Sequence, residues 1–275
     1  MTASSAFAAL PAYHRPQRVT QARVIRSEWT KLRTQPAALW SLLSAVILVI
    51  GFGVLYSLLR EARPPQGAAA TATFDPVSVS QSGIQLAQIA VGVLGVLLIT
   101  SEYATGMIRT TLAAVPKRLP ALWGKAIMLT AAILAIGLPA SFITFTAGQS
   151  ILGKQHLSTT LGAPGVTQAV IGSALYLAVA GLLGLALGTL LRSTAGGISA
   201  LFGVIFALPI VAGFLPGSLS DQVGKFLPST AGQAIATVHP DPATSLSPWT
   251  GFGVFAAYAA VLLAISAVRM RRGDA

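Results

Sequence analysis

The sequence lacks two residue types and is poor in charged residues. It contains no cysteine, which excludes disulfides, thiolate metal sites and thiol redox chemistry. It contains no asparagine, so it has no acceptor for N-glycosylation. Charged residues make up 9% of the chain and hydrophobic residues 54%, whereas soluble globular chains carry roughly 25% charged residues. With a mean hydropathy of +0.74, this composition indicates an integral membrane protein.

Six apolar runs are long enough to cross a bilayer as helices. Each is close to the roughly 20 apolar residues that a transmembrane helix needs. The runs cover about 37–59, 84–100, 121–148, 166–191, 197–215 and 251–268. We therefore predict an all-α, polytopic membrane protein whose transmembrane domain occupies residues 36–275. Because six crossings are an even number, both termini lie on the same side.

The positive charge is concentrated on one side of these spans. With both termini in the cytoplasm, the cytoplasmic segments hold the whole net charge of +11, and the charges of the opposite side cancel. This is the distribution that the positive-inside rule predicts for a multi-pass protein. The basic balance therefore reflects topology, and we expect no nucleic-acid partner.

The interiors of the spans are almost free of ionisable residues. With Lys125 counted among the cytoplasmic charges, we place no Asp, Glu, Lys, Arg or His within them. Proton- and ion-coupled carriers usually need such residues inside the bilayer. A secondary carrier is therefore disfavoured, and any transport must draw its energy from elsewhere.

The first 35 residues divide into two segments. Residues 1–16 are small, polar and proline-containing, which predicts a disordered cytoplasmic tail. Residues 17–35 predict an amphipathic helix lying in the membrane interface. Its apolar face holds Ala22, Ile25, Trp29 and Leu32. Its charged residues lie largely off that face: Arg18, Arg23, Arg26, Glu28, Lys31 and Arg33. A basic nucleic-acid-binding helix is the alternative, but a transmembrane span follows at once.

A polar segment between the second and third spans reads SEYATGMIRTTLAAVPKR, residues 101–118. We predict a helix that begins at Ser101, with Glu102 in its first turn, and that ends before Pro116. Its apolar face holds Ile108, Leu112 and Val115. On the cytoplasmic side such an apolar face must be buried against something. From the residues alone, it could be buried against a protein partner or against the lipid head groups.

Only mild polarity remains within the spans. Two pairs of polar residues each share a helix face: Gln85 with Gln88, and Ser141 with Thr144. Hydrogen bonding between helices is one interpretation, and contact with a substrate along a path is the other. The glycines Gly181, Gly184 and Gly188 predict close approach of the fourth span to a neighbour, either in the same chain or in a second copy.

No catalytic or metal-binding motif stands out in the chain. Residues 148–155, GQSILGKQ, match the glycines and lysine of a phosphate-binding loop, but Gln155 replaces the required Ser or Thr and no strand is predicted before it. His14, His156 and His239 lie far apart, so we predict no zinc site. We expect no enzymatic activity and no cofactor in this chain.

Three stretches together resemble the ABC-2 type permeases, the membrane subunits of bacterial ATP-binding-cassette exporters. They are RSEWTKLRTQP at residues 26–36, the segment 101–118, and FLPSTAGQAI at residues 226–235. The resemblance covers the chain from about Val19 onward. Its most specific positions lie in the second stretch: Glu102, Tyr103, Gly106, Arg109, Leu112, Pro116 and Arg118.

The resemblance implies that segment 101–118 is a coupling helix seated in a groove of a separate cytoplasmic ATPase, which binds ATP and magnesium. Its contact residues would be Glu102, Tyr103, Gly106, Ile108, Arg109 and Leu112. Residues 17–35 would be the connecting helix, with Ile25, Trp29 and Leu32 against membrane lipid. A second permease copy or paralogue would complete the path.

The same resemblance implies export of an amphiphile, such as a drug, a peptide antibiotic or a lipid, across a bacterial plasma membrane. The candidates for lining the path are Gln85, Gln88, Ser141 and Thr144. The alternative is a non-transporting membrane anchor or sensor that holds a cytoplasmic partner through the same segment.

Overall fold

A computed structural model describes residues 21–67, 74–104, 118–239 and 241–272, and all regular secondary structure in these ranges is helical. Six helices are long and apolar enough to span a membrane. They are α2 (Pro36–Ala62), α4 (Ile84–Ala104), α5 (Arg118–Leu152), α6 (Val166–Leu191), α7 (Thr194–Gly213) and α10 (Pro248–Arg272). The shorter helices are α1 (Gln21–Thr34), α3 (Pro76–Ser80), α8 (Gly217–Gly224) and α9 (Pro228–Gln233). The prediction of an all-α protein with six spans is confirmed.

Three of the sequence predictions fall partly or wholly outside the described residues. The tail at residues 1–16 lies outside them, as do residues 17–20 of the predicted interfacial helix and residues 105–117 of the predicted coupling helix. The predicted start of that helix at Ser101 is wrong, because α4 continues without a break to Ala104. No proline or glycine interrupts the chain between Thr100 and Ala104, so the helix of the second span simply propagates through the polar residues.

Helix α6 is the centre of the bundle and packs against α4, α5, α7 and α10. In its apolar stretch 83% of the residues are buried, compared with 22% in α2 and in α7. A Cβ atom on Gly184 would lie 2.0 Å from the carbonyl oxygen of Gly92, and one on Gly95 would lie 2.1 Å from that of Gly181. The glycines of α6 therefore let it approach α4 of the same chain, as small residues do at membrane helix interfaces.

The chain after α8 turns back into the bundle. Helix α9 and the 3-10 turn Ala234–Ala236 pack against both α6 and α10. Gly232 faces two aromatic rings, since a Cβ atom there would lie 2.5 Å from the ring of Phe255 and 2.6 Å from that of Tyr176. Ile235 is fully buried. We call residues 228–236 the wedge, because they fill the space between the two spanning helices.

Candidate functional site

Four ionisable side chains join α1 to the adjacent ends of α4 and α5. Glu28 and Lys31 come from α1, Glu102 from the last turn of α4, and Lys125 from the early part of α5. We call these four residues the charge cluster. Nζ of Lys125 lies 2.6 Å from Oε2 of Glu28 and 2.8 Å from Oε1 of Glu102. Nζ of Lys31 lies 2.8 Å from Oε1 of each glutamate. Each lysine thus bridges both carboxylates, and the four ion pairs close a ring.

Three of the four side chains of the charge cluster are buried. The side chains of Glu28, Glu102 and Lys125 are 2 to 4% exposed, and that of Lys31 is 36% exposed. Two carboxylates and two ammonium groups compensate one another, which offsets the high cost of removing each charge from water. Because that compensation depends on all four positions, the charge cluster fixes α1 against α4 and α5 in one arrangement.

The pKa of Lys31 reflects its position at the edge of this ring. Partial burial by itself would lower the pKa of Lys31, but the hydrogen bonds that its ammonium donates to Glu102 and Glu28, together with their charges, outweigh the burial. The result is a pKa raised above the ordinary value of 10.5. Lys31 therefore carries its positive charge throughout the physiological range of pH.

The face that α1 turns toward the bundle differs from the predicted one. Leu32 is 3% exposed and packs into the core, as an apolar-face residue should, whereas Trp29 is 43% exposed. Glu28, which we expected largely off the buried face, is only 2% exposed. It lies one helical turn from Leu32, and Lys125 supplies the charge that lets a carboxylate enter that position. The placement of α1 in the membrane interface stays a prediction.

The neighbours of Glu102 are tied to other elements at the same end of the bundle. Gln35 Nε2 donates a hydrogen bond of 3.3 Å to Oγ of Ser101. The guanidinium carbon of Arg192, at the end of α6, lies 5.6 Å from the centre of the Tyr103 ring, a separation typical of a cation–π contact. Of the predicted coupling residues, Glu102 and Tyr103 thus lie where α1, α4, α5 and α6 meet. Gly106, Ile108, Arg109 and Leu112 lie outside the described residues.

A cleft of about 330 Å³ adjoins the charge cluster. All four cluster residues line it, together with Leu32, Thr34, Gln35, Pro36, Leu98, Ser101 and Met128. In the part of the chain that the structure describes, Oε2 of Glu102 is buried and accepts no hydrogen bond. The cleft therefore has both polar and apolar walls, and one residue that lines it, Glu102, has a carboxylate oxygen that accepts no hydrogen bond from the described residues.

The opposite half of the bundle contains buried polar groups without formal charge. The hydroxyl of Tyr176 donates a hydrogen bond to Oε1 of Gln88, and Nε2 of Gln85 lies 3.4 Å from Oε1 of Gln233. These four residues, which we call the amide network, connect α4 to α6 and to the wedge. Gln88 is 2% exposed, as expected for a polar group that has found a partner.

The second predicted polar pair lies between α5 and its neighbours. Oγ1 of Thr144 lies 3.2 Å from the carbonyl oxygen of Val49 and 3.1 Å from that of Ser80. The carbonyl of Ser141 accepts a 3.0 Å hydrogen bond from Nε2 of Gln81. The contacts of Thr144 match the interpretation as hydrogen bonding between helices. Ser141 accepts only through its backbone, and its buried hydroxyl has no partner among the described residues. The role of both pairs in a substrate path stays a prediction.

Sequence reasoning missed Lys125 as a functional residue because it was counted only as a cytoplasmic charge. Its signal was a single lysine in an otherwise apolar run. Glutamates close to the same membrane boundary, at positions 28 and 102, were its potential partners. Among the described residues, no group of three His, Asp or Glu side chains is placed to hold a metal ion.

Comparison with protein families shows which family the chain matches. The family model described as "ABC-2 family transporter protein" matches residues 24–210. The match covers more than half of the chain and includes all four residues of the charge cluster. No curated protein matches the chain. With its six apolar helices and this match, the chain belongs to the ABC-2 family of transporter membrane proteins.

Proposed function

We propose that this chain is the permease subunit of an ABC exporter and forms half of a translocation path. A separate cytoplasmic ATPase binds ATP and magnesium and docks on the segment 101–118, and both termini of the permease lie in the cytoplasm. The observation that carries the proposal is the charge cluster. It ties α1 to the two helices that flank the docking segment, so a force applied at this segment reaches all three helices.

The geometry supports a mechanical role for this end of the bundle. Glu102 lies two residues before the end of α4, and Lys125 lies seven residues after the start of α5. Their ion pair of 2.8 Å closes the loop between the two helices at its base. Movement of the docked segment would therefore displace α4 and α5 together rather than separately. ATP binding would supply the free-energy difference between inward-open and outward-open states.

The chemistry of the spans favours an amphiphile as the exported substrate. Apart from the charge cluster and the charged residues at the helix ends, the described spans offer amide and hydroxyl groups. These are mostly engaged with carbonyls of the same helix or with other helices. An ion would need charged or multiple oxygen ligands within the bilayer. A drug, a peptide antibiotic or a lipid needs mainly an apolar path with a few hydrogen-bonding groups. A second permease, identical or paralogous, supplies the other half of the path.

The docking proposal is tested by co-purification from native membranes. The variant is Arg109→Ala rather than a change at Glu102, because Glu102 also holds the charge cluster. We expect a cytoplasmic ATPase to co-purify with the native chain and to be lost from the Arg109→Ala chain. The matched control is Arg63→Ala, which removes an exposed arginine far from the cluster and should retain the ATPase.

Two results would contradict the proposal at different levels. If the native chain brings down no ATPase even after crosslinking, the ATP-driven mechanism is wrong. If an ATPase is bound but inside-out vesicles move no amphiphile when ATP is added, the chain is instead an anchor or sensor for its cytoplasmic partner. Transport that needs no ATPase but collapses with ionophores would indicate a secondary carrier.

A further inference from the structure

The charge cluster leaves hydrogen-bonding capacity of both kinds unused beside an open cleft. Oε2 of Glu102 accepts nothing among the described residues, although the side chain is only 4% exposed. Each ammonium has three N–H donors, and the ion pairs of Lys31 use two of them. Lys31 is also the partly exposed member. A ligand with both a donor and an anionic group would therefore satisfy both sides of the cluster.

The missing donor has a defined chemistry. A buried carboxylate oxygen without a donor is costly, and a charged N–H group is its strongest partner. The charge cluster is neutral as a whole, so a ligand with a net charge would leave one buried charge uncompensated. A zwitterion avoids this cost. Its ammonium would lie toward Glu102, and its anionic group would lie toward Lys31 with the polar Thr34 and Gln35 beside it.

The setting of the cleft indicates that such a ligand is a membrane amphiphile. Leu32, Pro36, Leu98 and Met128 provide apolar walls. Trp29, next to Glu28, is 43% exposed, and Trp123, two residues before Lys125, is 45% exposed. Exposed tryptophans concentrate at the level of the lipid head groups. With α1 predicted to lie in the membrane interface, we expect the cleft where a head group meets the beginning of its acyl chains.

We propose that this cleft binds an amphiphile whose head group carries a primary ammonium next to an anion, as phosphoethanolamine does. The ammonium donates to Oε2 of Glu102, which is buried and must turn toward the cleft to accept the bond. The anion accepts from Lys31. The ligand pins α1 against α4 and α5. This binding requires neither the ATPase nor transport. The binding proposal can therefore be tested independently of the proposed export function.

The proposal is tested by native mass spectrometry of the purified full chain in detergent, titrated with lipids of matched acyl chains. Phosphatidylethanolamine has N–H donors, whereas phosphatidylcholine has the same phosphate but a quaternary nitrogen without them. We expect phosphatidylethanolamine to bind roughly tenfold more tightly, as one charge-assisted hydrogen bond allows. Phosphoethanolamine should compete for the site, because it carries the same ammonium and phosphate, whereas dodecylamine, which lacks the anion, should compete less well.

Two variants separate recognition from folding. Glu102→Gln removes the acceptor charge and should abolish the preference for phosphatidylethanolamine. Thr34→Trp adds a large ring at the wall of the cleft and leaves the four ion pairs in place, so it should weaken binding even if Glu102→Gln fails to fold. The matched control is Glu61→Gln. It alters a pair outside the cleft, in which Oε1 of Glu61 lies 3.5 Å from Nζ of Lys154. It should bind like the native chain.

Equal binding of the two lipids would overturn the proposal, because it would show that the N–H donors are not recognised. Unchanged binding by Thr34→Trp would overturn it as well, because the cleft would then not be the site. Extraction from native membranes identifies the source of the ligand. Phosphatidylethanolamine, or another amphiphile with a primary ammonium and an anion, supports the proposal if the native chain retains it and Thr34→Trp loses it. Retention of phosphatidylglycerol or of a simple amine alone contradicts it.

Discussion

The charge cluster and the amide network are two polar sites buried in the same bundle, and they stabilise it differently. Both connect α4 to neighbouring helices, and both contain side chains that are almost fully buried. The charge cluster consists of ions whose burial is tolerable only as a complete set. The amide network consists of neutral groups, each of which loses only one hydrogen bond when its partner is removed. The helix ends beside the docking segment are therefore held more strictly than the opposite half.

The largest expected effect comes from Lys125→Met. This change keeps the length of the side chain but leaves Glu28 and Glu102 with only the partly exposed Lys31. Breaking a buried pair costs about 3–5 kcal/mol, so the chain should lose stability strongly in thermal unfolding monitored by tryptophan fluorescence. Lys154→Met is the control. It removes the exposed partner of the half-buried Glu61, from which it lies 3.5 Å away, and should cost about 0–1 kcal/mol. Equal losses of stability in the two variants would mean that the charge cluster contributes no more to the fold than the pair of Lys154 with Glu61.

A smaller effect is expected from Tyr176→Phe in the amide network. The ring still fills the space against Gly232 and Phe255, but Oε1 of Gln88 loses its donor. An unsatisfied buried acceptor costs about 1–3 kcal/mol, less than the loss at Lys125. Tyr258→Phe removes the same hydroxyl from a ring that is 41% exposed and should change stability by less than about 0.5 kcal/mol. If Tyr176→Phe proved the more harmful of the two core variants, the ranking of the two sites would be reversed.

The smallest effect is a pH-dependent one at Lys31. The two glutamates raise the pKa of Lys31 above 10.5 in the folded chain, so its contribution is present below that pH and disappears as the pH rises through the raised value. Lys31 is partly exposed, which limits this contribution to about 1 kcal/mol or less. Lys31→Met should therefore melt below the native chain at about pH 8, and the difference should shrink at about pH 11.5.

The control for this titration is Lys31→Arg, because arginine keeps its charge at that pH. It should melt close to the native chain at neutral pH and lose less stability than the native chain at alkaline pH. A gap between the native chain and Lys31→Met that widened with rising pH would have the wrong sign and would show that Lys31 does not stabilise the fold through its charge.

The six spans and the helix α1 could be predicted because their signals are local. Apolar length defines a span, and the spacing of Ile25, Trp29 and Leu32 predicts a helix, although Trp29 lies off the face that α1 buries. The end of α4 was misplaced because Ser101 has the chemistry of a helix cap, yet nothing in the chain before Ala104 stops the preceding helix. A local signal for starting a helix does not terminate one that is already formed.

The charge cluster could not be assembled from the sequence because its members are distant along the chain. Glu28 and Lys125 are 97 positions apart, and their pairing depends on how α1 folds onto the bundle. The same holds for the glycines of α6. Gly184 predicts that α6 packs closely against another helix, but only the structure identifies Gly92 on α4 as its neighbour. Tertiary partners, rather than residue types, were the missing information.

The wedge has a consequence for the order in which the protein is made. Residues 228–236 leave the ribosome before α10, which begins at Pro248, although they pack against both α6 and α10. Until α10 has been synthesised, Gly232 has only the ring of Tyr176 to face and lacks that of Phe255. The wedge can therefore complete its packing only after α10 has been synthesised.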